Sequence, residues 1–288
     1  MRIGLSTPVV LQVPGVASEW EEHGDIDDVA RIAAAADELG FEFLTCAEHV
    51  ALPIGEAPNR GLTYWDPLAT LSFLAARTSR IRLATSVLVL GYHHPLEIAK
   101  RYGTLDRISG GRVTLGVGVG SLAAEFELLG AHWADRGDRA DDALRALRVS
   151  LSTPQPQYEG KYYRYRSVLV EPCALQPRIP IWVGGHTRRS LRRAVELGDG
   201  WMPFGLRVDE VAGMLAEARP PAGFEVVLAA GPLDPADNPA GTVERLRRLK
   251  AAGATAVTCA VAANSAEHYC DQLTQLRLLA DGVDGDAH

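Results

Sequence analysis

The stretch GRVTLGVGVGSLAAEFELLG, residues 111–130, decides between two folds. Gly118-Val119-Gly120-Ser121-Leu122-Ala123 fits the pattern G-x-G-x-x-G/A behind a strand-like run, and Asp138 follows about 20 residues after the first glycine. That is how a dinucleotide-binding turn looks. Such a turn belongs on the first strand of a doubly wound sheet. Its place in the chain therefore has to be counted.

Working outward, apolar runs alternate with helical patterns. The pattern predicts strands over Arg2–Ser6, Phe41–Cys46, Ile81–Leu90 and Arg112–Gly118, then Ile179–Val183, Gly200–Pro203, Phe224–Ala230 and Thr255–Val261. Helices are predicted over Ile26–Leu39, Pro67–Arg77, Pro95–Ile108, Arg188–Leu197, Val208–Ala218, Thr242–Ala252 and Ala266–Ala280, with further helical patterns in 121–150. Asp66 before Pro67 supplies a cap, and Gly40 and Gly110-Gly111 supply stops. The run IRLATSVLVL is apolar almost throughout, as strands covered on both faces are. Segment 151–178 is an excursion, with a hairpin expected around Glu159-Gly160. Eight strand–helix units predict one α/β domain over 1–288, a (β/α)8 barrel with an insertion after strand four. The glycine-rich turn follows strand four, and Asp138 falls in a helix. The dinucleotide reading is set aside. Glycines at a strand end instead let a flat ring approach the backbone.

Composition narrows the function. The chain has 288 residues, 47% of them hydrophobic, and a formal net charge of −7. The negative balance argues against nucleic acid and anionic membranes as partners. No apolar run is long enough to span a bilayer. The N-terminal run, broken by prolines, lacks the apolar stretch of a signal peptide. Cys46, Cys173, Cys259 and Cys270 are widely spaced, which favours free thiols and a cytoplasmic protein.

In a barrel the chemistry sits at the C-terminal ends of the strands. These ends offer Ser6 and Thr7, then Glu48 and His49, then Thr85, Ser86 and Val87. They continue with Gly118, Gly120 and Ser121, and with Gly184, Gly185, His186 and Thr187. The GGHT turn opens a helix, so its N–H groups and the helix dipole suit a phosphate. Arg188, Arg189, Arg192 and Arg193 read as a solvated face that could also steer a polyanionic tail. His49, at a strand end, can exchange protons near pH 7. Glu48 points to the opposite face if the strand continues, though it could still turn in and orient the imidazole. His93-His94 read as a helix start rather than a metal site; no metal is expected. Glu125 and Glu127 read as acids on a solvated helix face.

The blocks MRIGLSTP, AADELGFEFLTCAEHV, TSRIRLATSVLVLGYHHPLEIAKRYGTLDRISGGRVTLGVGVG and IPIWVGGHTRRSLRRAVELGDGWMP carry a likeness across nearly the whole chain. The chain resembles the luciferase-like monooxygenase superfamily, and within it the actinobacterial coenzyme F420-dependent oxidoreductases. The resemblance implies a flavin or deazaflavin at the barrel mouth and a non-prolyl cis peptide on strand three, here Ser86-Val87. It implies ring-flanking glycines at Gly118 and Gly120, and a phosphate turn at Gly184–Thr187. Ser6 and Thr85 complete the cofactor-binding set, and His49 is the catalytic candidate. One departure stands out. Sugar-phosphate and alcohol dehydrogenases of this family carry a Glu directly after the strand-four glycines, where this chain has Ser121. The expectation is therefore an F420-dependent oxidoreductase acting on a small molecule, usually as a homodimer. An FMN-dependent monooxygenase and a non-catalytic flavin-binding barrel are the alternatives.

Overall fold

A computed structural model of the chain describes residues 1–285. Its strands are β1 (Arg2–Ser6), β2 (Phe43–Cys46), β3 (Arg82–Thr85), β4 (Leu88–Val89) and β5 (Val113–Gly118). Then come β6 (Tyr158–Glu159), β7 (Arg164–Tyr165), β8 (Ile181–Gly184), β9 (Gly200–Met202), β10 (Glu225–Leu233) and β11 (Ala256–Val261). Parallel pairing runs β1-β2-β3-β5-β8-β9-β10-β11, and β11 returns to β1 with Arg2 opposite Ala256. The ring has eight members, so the expected barrel is present. β6 and β7 form the hairpin of the insertion, Tyr158 opposite Tyr165.

The helices are α1 (Ile26–Glu38), α2 (Ala57–Arg60), α3 (Pro67–Arg77), α4 (Pro95–Ile108) and α5 (Ala123–Leu128), then α6 (Arg136–Ser150), α7 (Arg188–Leu197), α8 (Val208–Ala218), α9 (Pro239–Ala251) and α10 (Ala266–Gly285). Their starts follow local chemistry. Asp66 accepts the Ala69 N–H ahead of Pro67, as expected, and His94 does the same for Leu96 ahead of Pro95. α9 begins three residues before its predicted start, because Asn238 caps it with Pro239 at the first position. The short turn α2 lies inside the strand-two loop, which the sequence pattern did not mark. No helix among the described residues is long and apolar enough to cross a membrane.

The barrel centre is filled by Phe43 and Trp182, edge to face at 5.1 Å, with Ala84, Met202, Val227 and Ala256 around them. The larger core lies between the sheet and the helices. Burial pushes the Cys46 and Cys259 thiols up to about 12, so both stay protonated.

The third strand departs from the predicted unbroken run. It ends at Thr85 and resumes at Leu88, with a cis peptide at Ser86-Val87 between the halves. β5 is shaped to receive this bulge. Thr85 Oγ1 donates to the Gly116 carbonyl at 2.6 Å. The Val87 side chain fills the space that side chains would need at Gly118 and Gly184; a Cβ there would lie 2.7 and 2.9 Å from its methyl carbons. These glycines make room first for protein.

At the opposite end of the barrel a buried carboxylate holds the α3–β3 loop. Asp37 accepts the N–H groups of Ser79, Arg80 and Ile81 and the Ser79 hydroxyl, at 2.6–3.0 Å. Burial raises its pKa, but these donors outweigh that effect and leave it below the ordinary carboxylate value.

Two outcomes follow. Gly118→Ala should cost about 1–3 kcal/mol by overpacking against Val87, and adding Val87→Ala should recover part of it. Chemical denaturation of both single variants and the double reads this; strictly additive losses would remove the contact from the account. Asp37→Asn should be less stable by about 1–3 kcal/mol near neutral pH. Because the folded pKa lies below the unfolded one, the wild-type advantage holds above about pH 4 and fades as pH falls through the folded value. An undiminished gap in acid would contradict it.

Candidate active site

The strand ends gather the expected residues at one mouth, since all eight strands run parallel. β2 delivers the Cys46-Ala47-Glu48-His49 turn. His49 is only 15% exposed at its side chain, and its Nδ1 lies 2.6 Å from Glu125 Oε2. Its ring stands edge-on to Tyr64 at 4.6 Å, and Tyr64 in turn donates its hydroxyl to the Arg60 carbonyl at 2.6 Å. No residue among those described bonds Nε2.

Glu125 corrects the sequence reading. It was expected on a solvated helix face, yet it is fully buried. Oε1 accepts the N–H groups of Val50 at 2.7 Å and Ala51 at 3.1 Å. Oε2 takes the Tyr92 hydroxyl at 3.0 Å in addition to His49. One carboxylate thus ties the strand-two, strand-three and strand-four loops together. Burial pushes its pKa up, but the hydrogen bond from His49 and the backbone donors win, and it sits below the usual value. Burial, and then the Glu125 charge, raise the Tyr92 phenol, which stays a donor. The signal was available in the sequence. Leu122, Glu125, Phe126 and Leu129 share one face at helical spacing, so the acid lies on an apolar stripe. Glu127, by contrast, is exposed as expected.

Glu48 does not orient His49. It turns the other way, accepting the Val89 N–H at 2.7 Å and meeting His93 Nε2 at 2.7 Å. It therefore braces β4 just beyond the bulge. His94 caps α4, the helix-start role expected of it. No group of three or more His, Cys, Asp or Glu among the described residues is arranged to hold a metal ion.

The bulge residues Ser86 and Val87 are half-buried, and Ser86 Oγ lies 3.3 Å from Met202 Sδ. Ser6 ends β1 beside Thr7, whose buried hydroxyl has no hydrogen-bond partner. Gly120 has φ +81°, and a Cβ there would strike the Phe126 ring. Ser121 Oγ receives Arg60 Nη1 at 3.2 Å, and Arg136 Nε donates to the Gly120 carbonyl at 3.3 Å while stacking on Trp133 at 3.5 Å.

After β8, Gly185 has φ +132°. Thr187 caps α7 in a reciprocal pair with Ser190, both bonds 3.1 Å. The amides of Arg188 and Arg189 begin the helix and have no acceptor within it. His186 is exposed and meets Phe204 edge-on at 5.1 Å. The arginine run is largely answered by acids. Arg188 meets Glu217 at 2.9 Å and Arg189 meets Asp138 at 2.5 Å; buried Arg193 binds Asp141 and the Gly137 carbonyl.

Known proteins share this architecture. An uncharacterised protein of Mycobacterium tuberculosis (strain ATCC 25618 / H37Rv) is 32% identical over 200 residues, 65% of this chain and 69% of that one. The monooxygenase RslO1 from Streptomyces bottropensis superposes with a TM-score of 0.73 at 22% identity, over 98% of this chain and 99% of its own. An F420-dependent secondary alcohol dehydrogenase, solved with an F420–acetone adduct, gives 0.72 at 14% identity, over 96% and 98%. Residues 1–280 match the family described as luciferase-like monooxygenase. With the eight-stranded barrel and its equipped mouth, that match places this chain in the luciferase-like monooxygenase family.

Proposed function

We propose that the chain is an F420-dependent oxidoreductase that transfers a hydride between the deazaflavin and a small organic substrate. The observation that carries the reading is an imidazole at the mouth with one nitrogen held by a buried carboxylate and the other without a partner. The residues present fit the cofactor class. At Gly185 a Cβ would lie 2.7 Å from Ser190 Cβ, at a φ that only glycine adopts freely, so the turn keeps its backbone bare beside the α7 N-terminus. Gly184–Thr187 would hold a phosphate there. Ser86 and Val87 would back the ring, and the orphaned Thr7 hydroxyl is a further polar group at the end of β1. What supports the deazaflavin over FMN is the set of actinobacterial-type sequence blocks.

When bound, the deazaflavin supplies a two-electron hydride carrier. The chain's own work is to move the accompanying proton. In reduction, the substrate would receive a hydride at one atom and, at its neighbour, the Nε2 proton of His49 in its imidazolium form, which leaves the neutral Nδ1–H imidazole. Oxidation reverses both transfers, and Nε2 then accepts the proton. The Glu125 network ties the three loops together and fixes the imidazole from its Nδ1 side.

Titration of the purified protein with F420 and FMN side by side should show tighter binding of F420. Micromolar FMN binding with no response to F420 would replace this reading with an FMN-dependent monooxygenase. Gly185→Asp should weaken cofactor binding by about 3 kcal/mol, roughly 100-fold, at low salt. Unchanged affinity in the folded variant would move the phosphate elsewhere. His49→Ala should keep cofactor affinity and lose about 10²–10⁴ in turnover; a near wild-type rate would reduce His49 to a wall of the pocket.

A further inference from the structure

The dehydrogenase-type acid missing at Ser121 raises the question of what orients the mouth imidazole. Glu125 lies four residues further on, beyond the turn that Gly120 makes into α5. Its carboxylate has about four acceptor positions, and four donors fill them: Val50 N, Ala51 N, Tyr92 Oη and His49 Nδ1. A carboxyl proton would have to displace one of these donors. The group is therefore an acceptor only, and the hydrogen in the 2.6 Å contact resides on His49 Nδ1.

From this geometry we infer that Glu125 is a positioning residue that locks neutral His49 in the Nδ1–H tautomer and so reserves Nε2 for proton exchange with the substrate. The substrate part rests on the proposed function; the tautomer part does not. Glu125 acts through His49 and touches no reacting atom itself. The adjacent pair Glu48–His93 provides the opposite case inside the same molecule. There it is Nε2 of the imidazole that meets the carboxylate, at 2.7 Å, so His93 is held as the Nε2–H form. Two neighbouring residues, Glu48 and His49, thus enter acid–imidazole pairs of opposite sense, one behind the bulge and one at the mouth.

The test reads tautomers directly, in the protein as it is. Long-range ¹⁵N–¹H correlation spectra of the histidine side chains are recorded at a pH where the imidazoles are neutral, with His49 assigned through His49→Gln and His93 through His93→Gln. Wild-type His49 should show a protonated Nδ1 and a bare Nε2, and His93 the reverse. A protonated Nε2 on wild-type His49 would overturn the inference without any Glu125 variant having to fold. Glu125→Gln can present an amide N–H to Nδ1, and should move His49 toward the Nε2–H form while His93 stays put. Glu125→Asp, which keeps the carboxylate, should retain the wild-type signature. An unchanged His49 spectrum in folded Glu125→Gln would also overturn it. If His49 shows the Nδ1–H form while F420 fails to bind, the positioning role stands and the cofactor reading falls.

Discussion

A carboxylate taken out of water must be met by several donors, and in this barrel those donors are mostly backbone N–H groups of loops and strand ends. The device recurs at both ends. Asp37 gathers Ser79, Arg80 and Ile81; Asp106, fully buried, gathers Val113, Leu175 and Gln176. Asp142 holds the insertion hairpin through Tyr158, Tyr162 and Tyr163. Loops carry unpaired backbone donors, and buried ones need acceptors. A short acidic side chain on a rigid helix satisfies several at once and fixes where the loop leaves the sheet.

At the mouth the same arrangement acquires a second use. Glu125 takes two backbone donors as Asp37 does, but its other oxygen takes a phenol and an imidazole. The structural bonds hold the carboxylate still and ionised; the imidazole bond converts that rigidity into a defined tautomer. Support for the bulge is divided similarly. Glu48 holds Val89 from one side, and bare positions on β5 and β8 receive Val87. The Gly184–Thr187 turn, the bulge and the imidazole stand on separate strands of one closed ring, so no loop has to fold alone to align them.

Much of this was legible in the sequence. Strands buried on both faces read as apolar runs, and caps such as Asp66 and Thr187 marked helix starts, so the eight units could be counted. The cis Ser86-Val87 site followed from the resemblance, and the His49 position from its place at the end of strand two. What spacing could not reveal was pairing across the ring. Glu125 and His49 are 76 residues apart, and only an acid on the stripe of Leu122 and Phe126 hinted that it was buried. Glu48 was equally ambiguous, because alternation says which way a side chain leaves a strand but not which histidine it meets. On the side where a Gly118 side chain would point, the space is taken by Val87, a packing that spacing in the sequence could not show.

On the function proposed above, one mouth would hold a deazaflavin with its ring on the bulge and its phosphate on the strand-five turn, beside His49. A crystal structure of the F420 complex tests it most directly. The ring is expected against Ser86-Val87, the phosphate within hydrogen-bonding reach of the Gly184–Thr187 backbone, and His49 Nε2 facing the open side of the ring. A cofactor bound elsewhere, or one whose phosphate avoids that turn, would contradict it.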